Sequence, residues 1–194
     1  MNVALLHPPG TGGQKTLLHK AIDRLGARAV SIGFSEDERV GGIRDIAAMA
    51  RILGRLYDAV DCAGMKPPIV QSIAQAAGVP VFGGLGCERH PVKALGELWT
   101  IEQALDDVPG KQRIRFIGDP KAEPASAFMT AADRLGFGIE MNGQGVAAAP
   151  FTVDASDPCR WKLRKGATPV SQALRLDNRT CVIQALLLQE ISGR

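Results

Sequence analysis

His90 is the residue whose position most clearly permits chemistry. It follows a short apolar strand expected over residues 79–82 and a glycine-rich turn, and a helix is expected to begin at Pro91. In open α/β sheets, ligands bind at the carboxyl ends of the strands, where this junction places the imidazole. His90 is therefore a candidate catalytic residue, although a lone histidine is more often structural. Lys93 lies one turn further on and adds a positive charge to the same region.

A second candidate site is the glycine-rich loop that joins a first apolar strand to a helix expected from Leu17. Backbone N–H groups and the dipole at a helix N-terminus attract anions. The candidate anion-binding residues of this loop are Thr11, Gly12, Gly13, Gln14 and Lys15. A plain tight turn would need the same glycines, so both interpretations stay open. Nucleotide hydrolysis is disfavoured, because Gln14 stands where a Walker A loop has glycine.

The elements that must position these residues alternate between strands and helices. Strands are expected over 2–6, 29–32, 79–82, 113–117 and 137–141, and residues 56–61 are expected to lead into a further short strand. Helices are expected over 17–25, 46–56, 67–78, 91–105 and 128–135. This alternation predicts an α/β protein with a parallel sheet and helices on both faces, plus a rudimentary second α/β domain. Residues 142–168 are expected to be irregular. Asp177 or Asn178 is expected to cap a last helix.

Composition and charge restrict the function classes. The chain has 194 residues, 45% of them hydrophobic but only 5% aromatic, so aliphatic side chains must fill the core. Its formal net charge of +3 comes from scattered basic residues, which disfavours nucleic-acid binding, and no apolar run is long enough to span a membrane. The four cysteines are far apart in the sequence, and the three histidines lack the spacing of metal ligands. The sequence therefore predicts neither a metal site nor a cofactor. A cytoplasmic location with reduced thiols is the expectation.

Five segments of the sequence, taken in their order along the chain, resemble segments of a known protein family. They are Asn-Val-Ala-Leu-Leu at 2–6, Ala-Arg-Ile-Leu-Gly-Arg-Leu-Tyr-Asp at 50–58, the strand–turn–His-Pro–helix segment at 77–101, Arg-Phe-Ile-Gly-Asp at 115–119, and Leu-Asp-Asn-Arg-Thr-Cys-Val-Ile-Gln-Ala at 176–185. Together they resemble the ornithine and aspartate carbamoyltransferase family, most closely the ornithine carbamoyltransferases. The resemblance implies a carbamoyl-phosphate-binding-like domain at 1–106, an abbreviated amino-acid-binding-like domain at 111–170, and a C-terminal helix at 171–194 that packs back on the first domain.

The resemblance also implies roles for individual residues. The family histidine and arginine that contact the carbamoyl group or its phosphate fall at His90 and Arg179. The neighbouring glutamine falls at Lys93, which suits an acidic ligand better than a carbamoyl NH₂. The phosphate loop Ser-Thr-Arg-Thr-Arg falls on residues 11–15, where its first arginine has become glycine, and a further family arginine falls at Ala63.

Two parts of the family pattern have no counterpart here: the long helical segment before the first strand, and most of the second domain. The chain is therefore expected to be a truncated and degenerate member. It would bind a small anionic metabolite such as carbamoyl phosphate, or act as a regulatory or assembly subunit. The alternatives are an active carbamoyl- or acyl-phosphate-dependent transferase with an altered amino acceptor, and a pure interaction module. By resemblance the protein would form a homo-oligomer, with a trimer as one option.

Overall fold

The computed structural model describes residues 1–8, 10–11, 15–34, 43–105, 113–141 and 149–193. The linker expected at 106–111 lies outside these residues. Internal contacts divide the chain into two compact units, the first formed by 1–87 with 183–194 and the second by 88–182. Among the described residues, no helix combines the length and the hydropathy that crossing a membrane would require.

The first unit is built on a four-stranded parallel sheet. Its elements are β1 (Asn2–His7), α1 (Leu17–Arg24), β2 (Arg28–Gly33), α2 (Ile43–Leu56), β3 (Ala59–Cys62), α3 (Pro67–Ala77) and β4 (Val81–Phe82). The strand order is β2-β1-β3-β4, with Leu6 of β1 opposite Ile32 and Cys62. Because successive parallel strands need a crossover, each is followed by a helix. The predicted parallel α/β sheet is confirmed.

Local sequence signals set the bounds of α3. Pro67 and Pro68 occupy its first turn, where a missing N–H costs nothing, and Gly78 ends it with a left-handed φ of 66°. Its last residue packs closely on α2. A Cβ at Gly54 of α2 would overlap the carbonyl oxygen of Ala77, so this crossing requires glycine.

The second unit holds a five-stranded mixed sheet. Its elements are α4 (Val92–Gln103), β5 (Arg113–Ile117), α5 (Ala125–Arg134), β6 (Gly138–Met141), β7 (Phe151–Asp154), β8 (Lys162–Lys165), β9 (Thr168–Pro169) and the beginning of α6 (Gln172–Ser192). The order is β6-β5-β7-β8-β9; β5 is parallel to both neighbours, and β7, β8 and β9 are antiparallel. Phe116, Phe128 and Trp161 form its aromatic core, with ring centroids 5.6–5.9 Å apart.

Two expectations about the second half were wrong. Residues 142–168 are not irregular throughout, because β7 and β8 lie within them and β9 begins at their end. The last helix begins at Gln172, five residues before the expected cap at Asp177 or Asn178. Its first turn is held by Arg175, whose guanidinium binds Glu97 of α4, a tertiary contact that no local capping signal announces.

The division of contacts also differs from the expected boundary at residue 106. Helix α4 was placed with the first domain, whereas its Ala94, Leu98 and Ile101 are buried in the same core as Phe116 and Phe128. Apolar residues on one helix face pack on the nearest sheet face, and here that is the second sheet. The assignment of the two domains to two binding roles stays a prediction.

Candidate functional site

A carboxylate that joins two buried cations is the central feature of the second unit. Glu88 accepts from Lys93 Nζ at 2.9 Å through Oε2 and from Arg179 Nη1 at 2.8 Å through Oε1. The Lys93 and Arg179 side chains are only 4% and 5% exposed, whereas the Glu88 side chain is 49% exposed. Two cations at such depth need a counter-charge. Glu88 supplies it from the loop that precedes α4.

Lys93 has further partners in its own unit. Its Nζ donates to the carbonyl oxygens of Pro158 at 3.1 Å and Cys159 at 2.8 Å. It also lies 5.5 Å from the ring centroid of Trp161, which is within range of a cation–π interaction. An ammonium group has three N–H donors, and Glu88 with the two carbonyls supplies three acceptors. The Lys93 ammonium is thus satisfied by the protein itself.

The charges around Glu88 decide its protonation. Burial acts to raise the pKa of this carboxyl, but hydrogen bonds and positive charge from Lys93 and Arg179 outweigh burial and lower the pKa below its ordinary value. Glu88 is therefore ionised at neutral pH, and the Lys93–Glu88–Arg179 cluster carries a net positive charge.

A second set of polar contacts joins the start of α6 to α4. Arg175 donates from Nε to Glu97 Oε2 at 2.8 Å and from Nη2 to Glu97 Oε1, which is a bidentate guanidinium–carboxylate pair. Its Nη2 also donates to the carbonyl oxygen of Trp161 at 2.8 Å. These contacts fix the position of the helix that carries Arg179. The backbone approach is close at this point, because a Cβ on Gly96 would lie 2.9 Å from the Cβ of Arg179.

These side chains line a cleft of about 540 Å³ within the second unit, here called the cationic cleft. It is lined by Glu88, Lys93, Glu97, Cys159, Arg160, Trp161, Lys162, Gln172, Arg175, Leu176 and Arg179. Five basic side chains therefore face two carboxylates. Arg160 and Lys162 are exposed, whereas Lys93 and Arg179 are buried. The excess of basic groups favours an anionic occupant.

His90 lies just before α4 and is half-buried. The Val92 N–H donates to its Nδ1 at 3.2 Å, so in the neutral ring the proton is on Nε2. Burial lowers the pKa of His90, the charge of Arg179 lowers it further, and Glu123 opposes both. The imidazole is therefore neutral at pH 7 and can donate a hydrogen bond from Nε2.

The residues predicted to bind phosphate belong to the first unit. Thr11 is exposed, and its Oγ1 donates to the carbonyl oxygen of Pro8 at 2.7 Å. The Lys15 side chain is 86% exposed and lies 3.9 Å from Asp23. Gly12, Gly13 and Gln14 lie outside the described residues. The anion-binding role of this loop stays a prediction.

Sequence reasoning placed His90, Lys93 and Arg179 in the candidate site but missed Glu88, Glu97 and Arg175. A usable signal existed for Glu88, since it stands two residues before the histidine and five residues before Lys93. No comparable signal marks Arg175. Its partner Glu97 is 78 residues away in the chain, so only the tertiary structure joins them.

Known proteins of related sequence include ornithine carbamoyltransferases. That of Caldanaerobacter subterraneus subsp. tengcongensis is 33% identical over 108 residues, which are 56% of this chain and 34% of that protein. The catabolic ornithine carbamoyltransferase of Mycoplasma capricolum subsp. capripneumoniae is 30% identical over 135 residues, which are 70% of this chain and 43% of that protein. The chain thus spans less than half the length of these curated relatives. No protein-family model matches it.

Solved structures agree on the fold. The ornithine carbamoyltransferase of Burkholderia thailandensis E264 aligns with a TM-score of 0.63 at 20% identity, over 100% of this chain and 86% of that one. The two α/β units therefore have the carbamoyltransferase fold. Taken with the sequence relatives, the chain belongs to the ornithine/aspartate carbamoyltransferase family.

Proposed function

We propose that this protein is a carbamoyltransferase-family member that has lost efficient carbamoyl transfer and binds a small anionic metabolite in the cationic cleft. One observation carries the proposal. Lys93 and Arg179, which stand at family positions that contact the carbamoyl group or its phosphate, are both bound to Glu88 of the same chain. A carboxylate of the protein thus occupies the lysine and the arginine that stand where, by resemblance, a transferase contacts its substrate.

The chemistry of carbamoyl transfer explains why this matters. The reaction depends on positioning an amine against a carbonyl and on stabilising the oxyanion and the leaving phosphate. A cation already paired with a carboxylate offers a new anion much less. Losing one charge-assisted contact costs about 1.5–3 kcal/mol, or one to two orders of magnitude in affinity. The glycine at position 13 and the alanine at position 63 remove two more such contacts by resemblance.

The cationic cleft still favours an anion over a cation. Its exposed Arg160 and Lys162 can meet a ligand without prior desolvation, and Glu88, at 49% exposure, can be displaced towards solvent. The ligand class is a small phosphate or carboxylate compound, carbamoyl phosphate included. The proposal includes a regulatory or assembly subunit, since a protein can bind an effector anion without catalysing a reaction.

The test combines a binding measurement with an assay. Purified protein is titrated by calorimetry with phosphate, succinate and carbamoyl phosphate, and citrulline formation from ornithine is followed in parallel. The proposal expects saturable heat from at least one anion and no citrulline above the enzyme-free control. Citrulline formation at about 1 s⁻¹ or faster, an ordinary turnover rate, would overturn it. So would the absence of binding by all three anions.

Paired charge variants locate the binding. Replacement of Arg160 and Lys162 by glutamine should weaken anion binding at least about tenfold, because two positive charges leave the cleft. The matched control replaces Lys121 and Arg134 by glutamine, two exposed basic residues of the same unit that do not line the cleft. Equal weakening by both pairs would indicate a general charge effect and contradict the assignment.

A second candidate function is favoured by His90. Its neutral imidazole with the proton on Nε2 is the form that can donate to a carbonyl oxygen, as an acyl-transferring site requires. An active transferase with an altered amino acceptor would therefore retain this residue in a working state. Release of phosphate from carbamoyl phosphate in the presence of a panel of amines, abolished in His90→Ala, would favour this candidate over the first.

Assembly belongs to the same proposal. The family resemblance supports a homo-oligomer, with a trimer as one option. Light scattering on a size-exclusion column gives the molar mass directly. A mass near that of the 20.6 kDa chain at all concentrations would contradict this part of the proposal and leave the binding part standing.

A further inference from the structure

The first unit has a cavity of about 270 Å³ at the carboxyl ends of β1 and β3, here called the Asp61 cavity. Leu5, Leu6, Pro8 and Leu18 give it apolar walls. The buried carboxylate of Asp61 and the imidazoles of His7 and His19 also line it. The combination of apolar walls with a few polar groups is typical of a small-molecule site. None of these groups has a role in the function proposed for the cationic cleft.

Asp61 is held in place with one oxygen committed. Its residue is 3% exposed, and its Oδ1 accepts from the backbone N–H groups of Gly84 and Leu85, both at 2.9 Å. The second oxygen, Oδ2, has no hydrogen-bond partner among the described residues. Burial raises the pKa of Asp61 to about 6 against the two hydrogen bonds, which lower it. At pH 8 the carboxyl is ionised.

The two imidazoles differ in what they offer. His7 Nδ1 lies 3.0 Å from the carbonyl oxygen of Pro8, which only accepts, so Nδ1 carries the proton and Nε2 is an acceptor. His19 Nδ1 accepts the Thr16 N–H at 3.1 Å, so the proton of the neutral ring is on Nε2, 3.4 Å from Ser31 Oγ. Two residues that line the cavity therefore each keep one acceptor without a partner among the described residues, Asp61 Oδ2 and His7 Nε2.

The described residues that line the Asp61 cavity carry the opposite charge to those of the cationic cleft. No lysine or arginine occurs among the described residues that line the Asp61 cavity. A buried carboxylate with a vacant oxygen stabilises a cation and repels an anion. Because Oδ1 is already occupied by two N–H groups, a guanidinium cannot bind both oxygens. A compact ammonium group, which needs one acceptor at a time, matches the site better.

We propose that the Asp61 cavity binds a small primary ammonium compound with a short aliphatic part. The ammonium group donates to Asp61 Oδ2 and His7 Nε2, and the aliphatic part lies against the leucines and Pro8. The site is in the first unit, and because Thr11 also lines it, this proposal stands against the anion-binding role predicted for residues 11–15. It selects the opposite charge to the cationic cleft. Either proposal can therefore fail without the other.

The three histidines make the test selective. The imidazole Cε1–H signals are followed by ¹H–¹³C NMR at pH 8 while n-butylammonium chloride is added to the full chain. His7 and His19 line the cavity, and His90 belongs to the other unit and serves as the internal reference. The expected result is a saturable shift of the first two signals with a dissociation constant of about 1 mM, reasonable for a five-atom ligand. His90 should not move.

Two further probes separate charge from shape on the unaltered protein. n-Butanol has the same chain without the charge, and butyrate has the opposite charge. Both should bind at least about tenfold more weakly than n-butylammonium. Equal shifts from butanol would mean that the cavity is only an apolar pocket. Selective shifts from butyrate or phosphate would mean an anion site. Either outcome overturns the proposal.

The variant Asp61→Asn tests the carboxylate itself. Asparagine keeps a carbonyl oxygen for the Gly84 and Leu85 N–H groups but carries no charge. n-Butylammonium affinity should fall at least about tenfold. Asp58→Asn removes a carboxylate of the same unit that does not line the cavity, and should leave the affinity unchanged. Unchanged affinity in Asp61→Asn, with the histidine signals still dispersed, would refute the assignment.

Discussion

At the scale of single residues, Glu88 is the side chain that most decides the chemistry of the second unit. Replacing it by glutamine keeps an acceptor but leaves Lys93 and Arg179 without their counter-charge. Because these cations are buried, we expect a loss of about 1–3 kcal/mol in the free energy of unfolding. Phosphate affinity should rise roughly tenfold, since the two cations then accept an external anion.

Urea unfolding and phosphate calorimetry measure these two effects on the same sample. The control is Glu102→Gln, which removes an exposed carboxylate from the same helix, α4. It should change the free energy of unfolding by less than about 0.5 kcal/mol. If Glu88→Gln binds phosphate no better than the wild type, Glu88 does not compete with the anion, and the main support for the proposed function is lost.

Asp61 gives a prediction about how stability depends on pH. Burial raises its pKa to about 6, above the value of about 3.9 for an unfolded chain, so the native state holds the proton more tightly. The contribution of Asp61 to stability must then fall as the pH rises from about 4 to about 6, by about 3 kcal/mol in total. Asp61→Asn lacks this titration. Its stability relative to the wild type should increase by a similar amount between pH 4 and pH 8.

Urea unfolding at pH 4, 5, 6 and 8 provides the comparison. The same series on Asp58→Asn separates the effect of burial from the general effect of removing a negative charge. A wild-type and Asp61→Asn difference that stays constant across the series would show that the carboxyl is not penalised by burial.

The candidate site could be predicted only in part from the sequence. Resemblance led to His90, Lys93 and Arg179, which the structure places in one unit. It could not reveal that Lys93 and Arg179 share a carboxylate, because Glu88 and Arg179 are 91 residues apart. Asp61 had a local signal, a charged residue inside a buried strand. Its two backbone partners depend on how the strand pairs and on the turn after β4.

At the scale of elements, the crossing of α2 and α3 depends on Gly54. A Cβ there would overlap the carbonyl oxygen of Ala77, so Gly54→Ala must push the helices apart. Alanine gains about 1 kcal/mol over glycine in a helix, whereas overpacking costs about 1–3 kcal/mol and at times more. Because the contact is with backbone rather than a flexible side chain, we expect a net loss of stability in urea unfolding.

Gly83→Ala is the matched control for that substitution. A Cβ at Gly83 meets nothing within 4 Å, and the residue is exposed. Its effect should stay within about 0.5 kcal/mol of zero. If both substitutions were equally harmless, α2 and α3 would not be as close as the structure has them.

The elements that could be predicted well from the sequence are those with a clear pattern of apolar residues along the whole element. Helix α2 and strand β1 have it, and their bounds agree within a few residues. Strands β7 and β8 were missed because each has only four residues and lies in a stretch rich in glycine, alanine and charge. A weak signal was present, since Phe151 and Val153 alternate with half-buried neighbours, but alternation over four residues is short for a prediction.

At the scale of the whole molecule, each of the two units has a hydrophobic core of its own among the described residues. One joins Leu6, Val60 and Ile73 of the first unit, and the other joins Phe116 and Phe128 to the rest of the second. The polar residues that line the cavities also differ between the units. The first unit has a carboxylate in an apolar cavity, and the second has a cleft rich in basic groups. The two proposed sites therefore differ in the sign of the charge that their lining favours.

The two cores can be tested separately because both tryptophans of the chain, Trp99 and Trp161, lie in the second unit. Phe128→Ala should cost about 3–5 kcal/mol and lower the urea midpoint seen by tryptophan fluorescence. Leu6→Ala should cost about 2–5 kcal/mol and lower the midpoint seen by far-UV circular dichroism more than the fluorescence midpoint. Coincident midpoints for both probes in both variants would mean that the chain unfolds as one cooperative structure, because coincidence of independent probes is the mark of a two-state transition.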